Sequence, residues 1–143
     1  FSNRGYDDST GWGARVGYYG AFSPTFAVGA SYATKTRMGD FDKYRGLFAE
    51  QGDFDSPSHW AVGVAVKPVD KWIIAADFMR INYSDVKSVS NASANLGGCL
   101  FGNTSQCLGG DDGAGFGWRS INVVKLGVEH TPSVNWTVRA GYN

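Results

Sequence analysis

The sequence predicts an all-β chain, an antiparallel up-and-down meander of about six strands that forms part of a transmembrane β-barrel. Three observations carry this. Side chains alternate with period two through nearly the whole chain, as in strands whose two faces meet different surroundings. Tight and long connections alternate strictly, which gathers the tight turns at one end of the sheet and the long loops at the other. The 143 residues include 20 glycines and 15% aromatics but only 18% charged side chains, a composition that suits neither a disordered chain nor an ordinary helical domain.

The first strand is expected over Gly11 to Tyr19, with Trp12, Ala14, Val16 and Tyr18 opposite Gly13, Arg15, Gly17 and Tyr19. After a tight turn at Phe22-Ser23-Pro24, Phe26, Val28, Ala30 and Tyr32 share the second strand's apolar face. Trp60, Val62, Val64 and Val66 do so in the third, which ends at a turn over Pro68-Val69-Asp70. The fourth strand, Trp72 to Tyr83, keeps Trp72, Ile74, Ala76 and Phe78 together and then puts Arg80 on the apolar side, so a bulge is expected near Met79. In the fifth, Gly117 to His130, Val124, Leu126 and Val128 alternate with Lys125, Gly127 and Glu129, while Ser120 and Asn122 break the upper half. A turn at Thr131-Pro132-Ser133 leads into the last strand, with Val134, Trp136, Val138, Ala140 and Tyr142 on one face.

Residues 1–143 thus form a single barrel segment with external loops over about 36–57 and 84–115. The aromatics fall at two levels, Trp12, Tyr32, Trp60, Trp118 and Tyr142 towards the long loops and Tyr18, Phe26, Trp72 and Trp136 towards the tight turns, as in interfacial girdles. The opposite face carries Gly, Ala and Ser with sparse charges of both signs, a lining for a narrow lumen rather than a solvated sheet face.

Charge is balanced at 13 basic against 13 acidic residues, which gives a nucleic-acid partner no electrostatic footing. No apolar run is long enough for a membrane-crossing helix. A chain that opens on Phe1 without a targeting segment is expected to be a processed form or a fragment. Cys99 and Cys107 lack the further ligands a zinc site needs, and are expected to form a local disulfide, which implies an oxidising compartment.

The stretch KTRMGDFDKYRGLFAEQGDFDSP over residues 35–57, then HWAVGVAVKP, WIIAADFMRINYSDVKSV and GFGWRSINVVKLGVEHTPSVNWTVRAGYN, resembles the FadL-type transporters of Gram-negative outer membranes, a family for long-chain fatty acids and aromatic hydrocarbons. The most specific parts are the Phe41 to Pro57 loop, the Asp77 to Val86 segment, and Gly115 to Trp118 with Lys125-Leu126-Gly127. The resemblance implies a barrel of about fourteen strands plugged by an amino-terminal hatch, a capture site among external loops, and sideways exit into the membrane. About six strands fall below the roughly eight that close a membrane barrel, so the chain is expected to be an internal segment that pairs with the remaining strands and hatch of its parent, or with copies of itself.

In the first long loop, Phe41, Tyr44, Leu47 and Phe48 recur at helical spacing behind Asp42, an available amino-terminal cap, which predicts a short amphipathic helix. Its apolar side either captures a hydrophobic molecule or packs against the other loop over the barrel mouth. Arg15, Lys125 and Arg139 lie on the lumen face, where they either meet the carboxylate of a fatty acid or pair with acids such as Asp77 and Glu129. His59 and His130 stand at opposite rims with no nucleophile and acid around them, so no enzymatic triad is expected, and neither metal nor cofactor. Asp111-Asp112-Gly113 offers too few ligands for calcium. The expected function is passive uptake of hydrophobic small molecules, long-chain fatty acids foremost, across the bacterial outer membrane in contact with its lipid. The alternative is a soluble or surface β-rich module that assembles by strand pairing.

Overall fold

The computed structural model describes residues 4–143 and divides into two compact units. One is a six-stranded antiparallel sheet in the order β2-β3-β5-β6-β7-β8. Its strands are β2 (Arg15–Ser23), β3 (Phe26–Ala33), β5 (His59–Val66), β6 (Trp72–Ile81), β7 (Ile121–Ser133) and β8 (Trp136–Tyr142). Sequence neighbours pair throughout, so the connectivity is an up-and-down meander whose outer strands β2 and β8 do not pair with each other. The other unit holds residues 4–14, 34–58 and 82–120, including a two-stranded ladder of β1 (Gly11–Trp12) and β4 (Arg37–Met38).

The register aligns the two faces across all six strands. Val28 opposes Val64, Val64 opposes Ala76, Ala76 opposes Leu126 and Leu126 opposes Tyr142. Directly opposed residues project from the same side of a sheet, so Val16, Phe26, Val28, Val62, Val64, Trp136 and Val138 share the apolar face. Arg15, Gly29, Gly63 and Arg139 share the other. Large apolar side chains on the first face remain open, among them Val62, Val124, Leu126, Trp136 and Val138.

Several expectations need correction. Trp12 leaves the sheet and pairs with Arg37 in the small ladder. A Cβ on Gly11 would stand 2.5 Å from the Arg37 carbonyl oxygen and one on Gly13 3.2 Å from Thr36 Cα, so these glycines let the backbones approach and draw the chain out of the sheet before Arg15. No bulge interrupts β6 near Met79, and its pairing to both neighbours is regular through Arg80 and Ile81. β7 begins at Ile121, four residues after Gly117, and runs through Pro132 to Ser133, with the turn falling on Val134 and Asn135. A register shift between His130 and Ser133 takes up the proline, which has no N–H to give to a ladder. Val134 therefore sits in the turn, 99% exposed. β2 likewise runs through Ser23, leaving Pro24 and Thr25 as the turn. Tyr18 and Tyr142 lie on rungs inside the apolar face, Tyr18 beside Ala30 and Tyr142 beside Leu126, rather than at its ends.

The loop unit has its own small core of Ala49, Val86 and Val89, with Asp55, Ser58 and Ser88 buried beside it. Ser88 Oγ donates to the backbone oxygen of Asp53, and Asn82 Nδ2 donates to Ser58 Oγ at 3.0 Å, so these buried groups are satisfied.

Candidate functional site

The segment Phe41 to Glu50 is not the amphipathic helix its spacing predicts. A single 3-10 turn, Asp42–Tyr44, follows Phe41, and Asp42 makes no cap. The chain then turns again at Leu47, whose N–H donates to the Tyr44 oxygen at 2.8 Å. Glu50 and Gln51 take left-handed backbone angles (φ 51° and 60°) and Gly52 follows at φ 111°. Such a run is unfavourable without external support. The second long loop supplies it: the N–H groups of Glu50 and Gln51 donate to the carbonyls of Gly110 and Gly109 at 3.1 and 3.0 Å. Closure then comes from Phe41, whose N–H donates to the Gly52 oxygen at 3.0 Å.

This compact fold of the loop brings Phe41, Tyr44, Leu47 and Phe48 together without a helix. With Phe54 and Asp7 they line a cavity of about 360 Å³. The Phe48 ring lies 5.9 Å from Phe41 and 5.0 Å, edge to face, from Phe54. Tyr44 turns its hydroxyl away to donate to the Gly5 oxygen at 2.7 Å, leaving the ring to the cavity. The one charged lining residue is Asp7, and Lys43 engages it through its backbone N–H at 2.9 Å and its ammonium at 3.9 Å. Phe54 escapes sequence reasoning because it lies beyond the helical window, across the left-handed turn.

The second loop behind this cavity is tied by the Cys99–Cys107 disulfide. Gly109 presses so closely on the first loop that a Cβ there would meet the Arg45 oxygen at 2.4 Å. Lys87 adds an ion pair to Glu50 at 3.2 Å, and this carboxylate raises the Lys87 pKa. Deeper in the same unit, burial and then the neighbouring Asp55 carboxylate push Asp53 up to about 6. Asp55 goes the other way: burial opposes its ionisation, but hydrogen bonds from Lys35 at 2.8 Å and the Met38 N–H at 2.7 Å outweigh it.

The three cations expected to face a lumen are not gathered into one site. Arg15, on the edge strand β2, lies 2.7 Å from His59 Nε2 through Nη2. Lys125 stands directly opposite Asp77 across β6 and β7. Arg139, on β8, pairs with Glu129 at 2.6 Å. Of the three, Lys125 alone lines the shallow concavity of about 450 Å³ on this face, together with Asp77, Gly29, Gly63, Tyr19 and Met79.

No family model matches the chain, and no curated protein sequence matches it significantly. Solved structures do. A structure described as the CymD monoaromatic hydrocarbon channel superposes with a TM-score of 0.59 at 23% identity, over 92% of this chain and 36% of that one. The toluene transporter TodX of Pseudomonas putida gives 0.59 at 21% identity, over 93% and 34%. The toluene transporter TbuX of Ralstonia pickettii gives 0.57 at 20% identity, over 92% and 34%. The chain spans about a third of the length of these proteins. At such identities the likeness is one of fold: the six-stranded antiparallel meander and its loops match part of these channel and transporter structures, as the FadL-type resemblance implies for a segment of a barrel wall.

Proposed function

We propose that this chain is a wall-and-loop section of a FadL-type outer-membrane protein that admits neutral hydrophobic molecules, single-ring aromatic hydrocarbons in particular, by passive binding and diffusion. The observation that carries this reading is the loop cavity, walled by four aromatic rings and Leu47, whose one charged lining residue is an acid already engaged by Lys43. Burial of an apolar ring there is favourable without chemistry, at about 25 cal/mol per Å² removed from water. A fatty acid would need a cation for its carboxylate, and none lines this cavity. That lining favours the hydrocarbon over the fatty acid.

The structural neighbours, described as a monoaromatic hydrocarbon channel and toluene transporters, support the same substrate class. The continuous apolar face of the sheet suits contact with membrane lipid, and the edges at β2 and β8 call for the further strands of a parent barrel, because open edges are not tolerated in lipid. A soluble module would carry polar residues on that face. Uptake of labelled toluene by cells carrying the full-length protein tests the reading. Replacing Leu47 and Phe48 together by Ser should slow uptake at low toluene concentration without lowering the amount of folded protein in the membrane; unchanged uptake would remove the capture role.

A further inference from the structure

Phe48 and Phe54 reach the same cavity because the chain between them turns through Glu50, Gln51 and Gly52 at positive φ. Two successive non-glycine residues in that region are disfavoured in a free chain. The bonds that hold them come from the second loop, where the Gly110 and Gly109 oxygens accept from the Glu50 and Gln51 N–H groups. Gly110 is held in turn by Cys107, whose carbonyl accepts from the Gly110 N–H at 2.9 Å. Two hydrogen bonds thus link the Cys107 backbone to that of Glu50.

Apolar burial does not fix the segment between the cysteines. Leu100 and Phe101, its large apolar residues, are 84% and 92% exposed. Its backbone bonds are short-range, Asn103 N–H to the Gly98 oxygen at 3.0 Å and Cys107 N–H to the Thr104 oxygen at 3.2 Å, so the covalent link between Cys99 and Cys107 is its firmest tie. Beyond Gly110 the loop is anchored separately. Asn95 Nδ2 donates to the Asp112 oxygen at 2.9 Å and Asn91 Nδ2 to the Gly113 oxygen at 2.8 Å.

We propose that the Cys99–Cys107 disulfide is a positioning element of the hydrophobic cavity: through Cys107 and Gly110 it holds Glu50 and Gln51 in their left-handed turn, so the cavity takes an apolar ring with the disulfide closed and loses affinity with it open. The affinity part rests on the reading of this cavity as a capture site. Opening the disulfide frees the turn from Cys107 to Gly110, while Asn91 and Asn95 keep the end of the loop in place. The effect is a shift in the population of the assembled cavity, without loss of a lining residue.

The test compares the full-length protein in detergent, oxidised and after dithiothreitol. One thiolate of the dithiol attacks a protein sulfur, the other protein sulfur leaves and takes up a proton, and the reagent's second thiol displaces the first and closes its own disulfide, so two electrons pass to the protein. Toluene affinity should fall about fivefold on reduction and return on reoxidation, as when the assembled cavity drops to about a fifth of the population. Hydrogen exchange at Glu50 and Gln51 should quicken, whereas Gly117 and Trp118, bonded to the Asn91 and Val89 oxygens, should keep their protection. Cys99→Ala with Cys107→Ala should bind like the reduced protein and ignore the dithiol. Gly110→Ala keeps the disulfide and breaks the relay, because its Cβ would lie 2.8 Å from the Ser105 carbonyl carbon and 3.0 Å from the Cys107 oxygen; it should weaken toluene binding to a similar extent. Equal affinity in oxidised and reduced protein would overturn the proposal, as would unchanged exchange at Glu50 and Gln51. Should reduction also expose Gly117 and Trp118, Gly110→Ala decides alone, and wild-type affinity in that variant would overturn the proposal. Failure of the oxidised protein to bind toluene would strike the capture reading instead, and exchange at Glu50 and Gln51 would still decide whether the disulfide holds the turn.

Discussion

The rings of Phe48 and Phe54 meet edge to face at 5.0 Å across the left-handed turn that separates them in the chain. An edge-to-face pair contributes about 0.5–1.5 kcal/mol beyond its buried area. Phe54 also lines the loop cavity, so Phe54→Ala should weaken toluene binding to the full-length protein about three- to tenfold. Fluorescence titration in detergent reads this directly. An unchanged affinity would place the ligand elsewhere.

Gly52 carries the sharpest local constraint on that cavity. At φ 111°, a Cβ on it would lie 2.8 Å from the Phe41 carbonyl oxygen and 3.0 Å from the Phe41 nitrogen, both backbone atoms that cannot swing aside. Gly52→Ala is expected to cost on the order of 1–3 kcal/mol and to displace Phe41. Gly63→Ala is the contrast: its Cβ would press mainly on the Asp77 carboxylate, the movable end of a side chain, so its cost should be smaller. Chemical denaturation of the two variants compares them.

The Asp53 and Asp55 pair gives the loop unit a pH dependence. Asp53 is raised from 3.8 to about 6, so between these values the folded chain keeps a proton that the unfolded chain releases. Its contribution to stability therefore falls as pH rises through that window and stays lost above about 6. Asp55 has a lowered pKa, so its contribution is present above 3.8 and is lost as pH falls through its folded value. Asp53→Asn should accordingly stabilise the loop unit at pH 7 and give no gain near pH 4, as measured by hydrogen exchange of residues 34–58. A gain independent of pH would refute the assignment.

Arg80 and Asn122 each break the apolar alternation of their own strand, and across the β6–β7 ladder they bond to one another. Asn122→Val alone removes the acceptor for Nη1 and should destabilise the refolded protein by about 1 kcal/mol. Arg80→Leu combined with Asn122→Val should recover part of that loss, because both partners of this hydrogen bond are then replaced by apolar groups. A double-mutant cycle measures the coupling, and additive losses would show that the contact contributes nothing.

That pair also marks the boundary of what the sequence discloses. The two faces of Phe26 to Tyr32, Trp60 to Val66 and Val124 to Val128 are legible because the period-two pattern is local and uninterrupted. An expected bulge at Met79 is what a single strand suggests for Arg80, since its neighbour's Asn122 is visible only once the register is known. Pro132 marks a turn by its chemistry, yet the ladder absorbs it in a register shift and turns two residues later. Phe41, Tyr44, Leu47 and Phe48 do converge, but through a 3-10 turn and left-handed residues anchored on Gly109 and Gly110, a support some sixty residues away that no helical periodicity encodes. The disulfide was accessible from the sequence because two cysteines in one short loop have few other uses.

The most direct test of the capture of neutral single-ring hydrocarbons is calorimetric titration of the full-length protein in detergent with toluene and with benzoate, which share the ring and differ in the carboxylate. The proposed cavity, with Asp7 as its one charged lining residue, predicts toluene binding at least about tenfold tighter than benzoate, with the difference abolished by Leu47→Ser and Phe48→Ser together. Benzoate binding as tightly as toluene, or toluene binding unaffected by the double substitution, would contradict it.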